Sequence, residues 1–237
     1  MGSEREKARA VRDMFGPIAS RYDFLNHFLS GNIDRSWRRR CVKEISGRLS
    51  APNPKVLDVG CGTADLSIAF SNLGTVVGCD FCHPMLRLGR EKIACLGIRH
   101  RAELIEGDAL NLPFPTGVFD AVVSAFVLRN LASVEKGVME MRRVLRLGGV
   151  LGILDFAMPR MPLLGAAYRF YFIRILPGLG KWISGADGPY RYLPDSVQMF
   201  PPPEALCEQI ARFGFRDVEY HLLTQGIAVL FVAAAGS

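Results

Sequence analysis

Short apolar runs rich in β-branched residues recur along this chain, separated by stretches with helical spacing, and no other feature narrows the fold as much. The runs are KVLDVG (55–60), TVVGCD (75–80), AELIEGD (102–108), FDAVVSAF (119–126) and GVLGILDF (149–156). Each has the length and composition of a strand buried on both faces. Between them Asp65–Asn72, Pro84–Leu96 and Ser133–Arg146 carry helical spacing. That alternation predicts an α/β fold with a doubly wound, mostly parallel sheet. A helix over Pro203–Arg212, then strands over Val218–Thr224 and Ile227–Ala233 joined through Gln225-Gly226, would close the sheet as a hairpin at about seven strands.

Two segments stand outside this rhythm. Residues 4–50 read as polar helix, with Asp34 placed to cap a helix running through Trp37 and Ile45. The stretch RMPLLGAAYRFYFIRILPGLGKWISG (160–185) carries apolar residues at mixed three- and four-residue intervals, which predicts an amphipathic helix interrupted by Arg169 and Arg174. We divide the chain into an N-terminal helical cap over 1–50 and a core over 51–237, with a helical insert at about 160–190.

The first strand runs into Gly60-Cys61-Gly62-Thr63-Ala64-Asp65, a turn in which two glycines let the backbone approach a ligand closely. A helix follows directly, so free backbone N–H groups are expected beside the turn. The third glycine of a dinucleotide fingerprint is missing, and so is the lysine of a P-loop. Asp80 ends the second strand 80 − 60 = 20 residues after the first glycine, the spacing at which a carboxylate accepts hydrogen bonds from a ribose diol. Gly107-Asp108-Ala109 gives a further acidic strand end. Together these describe a nucleoside pocket without a pyrophosphate clamp.

Composition removes several classes. No apolar stretch is long enough to span a bilayer without a polar break, and the opening residues MGSEREKARAVRDMF lack the apolar core of a secretory signal. We therefore read the protein as cytoplasmic. Its six cysteines are scattered, unlike a secreted disulfide framework. Cys79-x-x-Cys82 with His83 offers only one pair at ligand spacing, around an aspartate already assigned to ribose, so no metal is expected. The net charge of +6 gathers at Arg35, Arg38, Arg39, Arg40 and Lys43 and again at Arg142, Arg143 and Arg146. Such stretches suit a solvated helix face, nucleic acid or an anionic membrane surface alike. No separate RNA-binding module is visible, and no nucleic-acid partner is expected.

The pattern DVGCGTAD, with Asp80 and Asp108 behind it, resembles the S-adenosylmethionine-dependent Rossmann methyltransferases. The resemblance narrows with YDFLNHFLSGNIDRSW (22–37), which looks like the N-terminal signature of the ubiquinone/menaquinone biosynthesis C-methyltransferases. PFPTGVFDAV, LRN (128–130), RVLRLGGVLGILDF, YRYLPDSVQMFP (190–201) and TQGIAVL extend the likeness over nearly the whole chain. The chain departs from the family pattern at Leu25 (Met there), Asp34 (His), Ala125 (Ser) and Asp155 (Glu).

What the resemblance implies is methyl transfer from S-adenosyl-L-methionine to a ring carbon of a prenylated quinol, demethylmenaquinol favoured over a ubiquinol precursor. It puts Gly60, Gly62 and Thr63 around the methionine part, Asp80 on the ribose and Asp108-Ala109 beside the adenine. Asp58 and Ala125 complete the expected cofactor set. For catalysis we expect Arg129 to stabilise the developing oxyanion or orient a water, and Asn130 and Tyr22 to orient the quinol; His27 is an alternative base. A helix cap and surface ion pair is the competing reading of Arg129-Asn130. The 160–185 helix is then a lid for the prenyl tail that touches the inner face of the membrane, or simply packs on the sheet. Other small aromatic or lipid acceptors, RNA, a non-catalytic cofactor scaffold and a homodimer stay open on sequence alone.

Overall fold

The structure is a computed structural model that describes residues 30–159 and 188–236, together with Glu6, Val11, Asp13, Met14 and Gly16. Tyr22, His27 and the insert as far as residue 187 lie outside the described residues.

The elements follow in the expected alternation. They are α1 (Ile33–Ser46), β1 (Lys55–Val59), α2 (Asp65–Phe70), β2 (Thr75–Asp80), α3 (His83–Cys95), β3 (Ala102–Glu106) and β4 (Phe119–Ala125). After these come α4 (Val134–Val144), β5 (Leu145–Phe156), α5 (Gly188–Met199), α6 (Pro203–Arg212), β6 (Phe215–Leu223) and β7 (Ala228–Ala235). The seven strands form one sheet in the order β3-β2-β1-β4-β5-β7-β6. β1 to β5 pair in parallel, while β7 runs antiparallel to both β5 and β6. The short β6–β7 link leaves no other choice, since a parallel pair needs a long crossover.

The period-two geometry of strands sorts the apolar residues into two layers. Leu57 and Val59 of β1, Val122 of β4 and Leu151 and Ile153 of β5 face Val138 and Met141 of α4 and Leu206 and Ile210 of α6. Val56, Val123 and Leu154 face the other way, against Trp37, Cys41 and Ile45 of α1 and Leu66 and Phe70 of α2. Burial on both faces explains why these strands read as continuous apolar runs rather than alternating ones.

Several element ends differ from the expected ones, each for a local reason. Asp34 does not cap α1. Gly31 and Asn32 take left-handed φ of 61° and 62°, which those residue types tolerate, so the helix starts at Ile33 and Asp34 falls in its first turn. There it accepts from Ser30 Oγ at 2.8 Å and pairs with Arg38. Ser133 is the N-cap of α4, its hydroxyl accepting from Lys136 N at 3.2 Å, and the helix stops at Val144 because Leu145 pairs with Phe119 in the sheet. The β6–β7 turn takes three residues, Thr224 to Gly226, all at positive φ. Trp37 Nε1 donates to Thr224 Oγ1 at 2.7 Å and fastens α1 to that turn.

The two basic stretches fare differently. Arg142 donates to Gly214 O and Gly236 O, Arg143 to Phe114 O and Leu112 O, and Arg146 pairs with Asp120, so this stretch serves the chain itself. On α1 the residues Arg35, Arg39, Arg40 and Lys43 are exposed while Arg38 turns inward.

Candidate functional site

β1 and β4 lie side by side at the centre of the sheet, and the chain leaves their carboxyl ends toward opposite faces. A crevice opens at such a point in any doubly wound sheet. Here it is a cleft of about 950 Å³ with the open solvent in front of it included. Gly60, Gly62 and Thr63 line it after β1, Asp80 and Phe81 after β2, and Ala109 after β3. Ala125, Phe126, Val127 and Asn130 close it after β4, and Asp58 also reaches it. Asp108 and Arg129 are not among the lining residues.

Backbone conformation shapes the first wall. Gly60 has φ +70°, and a Cβ there would stand 2.4 Å from Val127 Cγ2. Gly62 has φ +52° with nothing within 4 Å of where a Cβ would be, so its bare side is open space. Asp80 ties the turn to β2: Oδ2 accepts from Gly62 N and Oδ1 from Cys82 N, each at 2.8 Å. Asp108 is occupied locally, its Oδ1 accepting from Leu110 N at 2.9 Å, which holds the loop that presents Ala109.

Asp58 is 1% exposed and accepts from Ser67 Oγ at 2.6 Å. Burial pushes its carboxyl up to about 7, opposed by the Ser67 hydroxyl and by Arg38, and helped by Asp80. An acid whose pKa is higher folded than unfolded binds more protons in the native state between the two values. This group therefore makes stability fall as pH rises from about 4 to about 7 and then level off, with an upper bound of about 4 kcal/mol. Asp58→Asn is expected to remove that decline from urea-unfolding midpoints followed across this range; profiles parallel to those of the unaltered protein would disprove it.

Cys61 and Cys79 at the cleft are neutral groups. Burial raises Cys61 well above the ordinary thiol range and Cys79 to about 12, with Asp80 adding to both. Among the described residues no cluster of three or more His, Cys, Asp or Glu side chains is placed to hold a metal ion.

The 3₁₀ turn Leu128–Asn130 after β4 divides its two polar residues. Asn130 lines the cleft; its Nδ2 donates to Phe126 O at 3.3 Å, and its buried Oδ1 has no partner among the described residues. Arg129 does not line the cleft and is 9% exposed. Its Nη1 donates to Asp155 Oδ1 at 2.5 Å and to Phe126 O at 2.8 Å, and its guanidinium carbon lies 5.1 Å from the Phe156 ring centroid. The competing reading placed an ion pair at the surface; the pair that forms is buried, with Asp155 at 0% exposure. Arg129 Nε has no partner among the described residues.

Tyr192 of α5 belongs with this pair. Burial raises its phenol, the Arg129 charge pulls it back and Asp155 pushes it further. Sequence reasoning passed over Tyr192 although it lies in YRYLPDSVQMFP, and passed over Arg38, hidden among four exposed basic neighbours.

Sheet order and cleft position define the class: an α/β chain of the Rossmann-like methyltransferase fold. The fold aligns with a SAM-dependent methyltransferase from Aquifex aeolicus at TM-score 0.59 and 18% identity, over 84% of this chain and 89% of that one. It also aligns with the cyclase SpnF at TM-score 0.61 and 15% identity, over 95% of each, so the fold alone does not name a reaction. Sequence goes further. The model of the ubiE/COQ5 methyltransferase family matches residues 2–235, and the chain belongs to that family. It is 44% identical to a demethylmenaquinone methyltransferase of Deinococcus radiodurans over 98% of this chain and 95% of that one. To a demethylmenaquinone methyltransferase of Thermus thermophilus it is 47% identical over 92% and 98%.

Proposed function

We propose that this chain methylates a ring carbon of a demethylated prenylated quinol, demethylmenaquinol in particular, with S-adenosylmethionine as methyl donor. The observation that carries the acceptor is the near-full-length likeness to demethylmenaquinone methyltransferases. The cleft supports the donor. Bare glycine backbone at Gly62, the Asp80 carboxylate at the end of β2, Ala109 after β3 and an Asn130 Oδ1 with no partner among the described residues suit an adenosyl group with an amino-acid tail.

S-adenosylmethionine supplies an electrophilic methyl group on its sulfonium sulfur. A ring carbon ortho to a hydroxyl becomes nucleophilic as that hydroxyl loses its proton, so the protein must hold the ring in line and stabilise the oxyanion. In this reading Asn130 and Tyr22 orient the quinol. Arg129, permanently charged and bonded to the carbonyl of the lining residue Phe126, stabilises the oxyanion from behind that wall or orients the water that takes the proton. The neutral cysteines matter here too, because a thiolate beside a methyl donor would compete for it.

Among the described residues no helix is long and apolar enough to cross a membrane. A prenylated quinol partitions into lipid, so the enzyme meets it at a bilayer surface. The experiment presents demethylmenaquinol and a demethylated ubiquinol precursor separately in anionic liposomes with methyl-labelled donor, then floats the vesicles. Label in the naphthoquinol, with protein in the floated fraction, is expected. Label in the benzoquinol alone would move the acceptor, and label in neither would defeat the reading.

A further inference from the structure

The glycine turn expected to present N–H groups to a ligand has used most of them. Gly60 N and Cys61 N donate to Cys79 O at 2.7 and 3.2 Å, Gly62 N donates to Asp80, and Ala64 N donates to Cys61 O at 2.8 Å. These bonds hold the turn against β2, and they leave an anionic tail few backbone partners in this wall.

Arg38 is the one cation that lines the cleft among the described residues, and it comes from α1 rather than from the sheet. Its side chain is 12% exposed. One nitrogen donates to Asp34, which is itself 3% exposed and fixed by Ser30 Oγ. Its Nη2 stands 3.8 Å from Asp65 Oδ2, beyond hydrogen-bond range, and the guanidinium lies 5.3 Å from the centroid of Phe126, another lining residue. A guanidinium has five N–H donors in a fork that matches a carboxylate. Among the described residues no hydrogen bond occupies its Nε or Nη2, at a position with little access to water. Asp58 and Asp65 line the same cleft, and Asp65 is also held by Lys92 Nζ at 2.8 Å. A single guanidinium with open donors in this wall is the partner that a carboxylate needs.

We propose that Arg38 anchors the α-carboxylate of the methyl donor's methionine moiety, an inference that rests on the donor assigned above. The donor then bridges the helix α1 and the sheet. Arg38 is a binding residue and takes no part in the chemical step.

The test is calorimetric binding of S-adenosylmethionine and of decarboxylated S-adenosylmethionine, which lacks only that carboxylate. Both are titrated into the full chain and its Arg38→Met and Arg38→Lys variants. For Arg38→Met, affinity for S-adenosylmethionine is expected to fall roughly 10- to 100-fold, while affinity for the decarboxylated ligand changes less than about threefold. Arg38→Lys should recover part of the loss, because it keeps the charge without the fork. Both ligands are titrated into one preparation, so incomplete folding lowers the stoichiometry and leaves the affinity ratio intact. Equal weakening of both ligands would overturn the inference and leave Arg38 as a clamp between α1 and α2; so would no weakening of either. If the unaltered protein binds neither ligand, the donor assignment itself falls and takes this inference with it.

Discussion

Asp155→Asn is expected to destabilise the fold by about 3–5 kcal/mol, because it leaves the Arg129 guanidinium buried without its counter-charge. Asp155 is fully buried at the end of β5, and its carboxylate also accepts from Phe156 N at 2.8 Å. The asparagine keeps shape and one acceptor, so the loss reports the charge. Arg129→Met should cost a similar amount by stranding Asp155. Combining the two changes should cost clearly less than their sum, since neither charge then remains unpaired, and urea unfolding of the four proteins measures that coupling. Additive losses would mean that the two residues act separately. Tyr192 gives a second readout: its phenol feels both charges, so its ionisation, followed by ultraviolet absorbance, should shift differently in each single variant.

Asp80→Ala is expected to weaken binding of S-adenosylmethionine roughly 100-fold or more, since charge-assisted hydrogen bonds to a carboxylate are each worth about 1.5–3 kcal/mol. Asp80 holds Gly62 N and Cys82 N at once, so its loss frees the glycine turn from the end of β2 while removing the acceptor proposed for the ribose. Asp80→Asn retains one carbonyl oxygen and should fall between the two. Unfolding midpoints should move little, because the released N–H groups open toward the cleft and find water. Calorimetric affinity within about threefold of the unaltered protein would remove Asp80 from the donor site.

The parts of this architecture that were legible were those governed by short-range rules. Strand runs such as KVLDV and FDAVVSA are apolar because both faces of β1 and β4 are covered, and that burial writes itself into consecutive residues. Asp80 could be placed because its distance from Gly60 is set by one β-α-β unit. Boundaries were less legible where a sheet partner decides them, as when Leu145 leaves the helical pattern of α4 to pair with Phe119. Asp34 was misjudged as a cap because Asn32, a residue tolerant of positive φ, had already turned the chain.

What the sequence determined by itself was the alternation that winds the sheet, the turn at Gly60 and Gly62, and the order of acidic strand ends around one crevice. What only the tertiary structure decided was how the polar groups are shared out. It set the N–H groups of the glycine turn on Cys79 O and Asp80, and paired Arg129 with Asp155. It also drew Arg38 out of a run of exposed basic residues into the site. The physical reason is one of range. Periodicity and turn chemistry report which face of an element is buried, but the partner of a buried charge is set by which element lies opposite. For Arg129 that partner is 26 residues away on a neighbouring strand, brought near by sheet order alone.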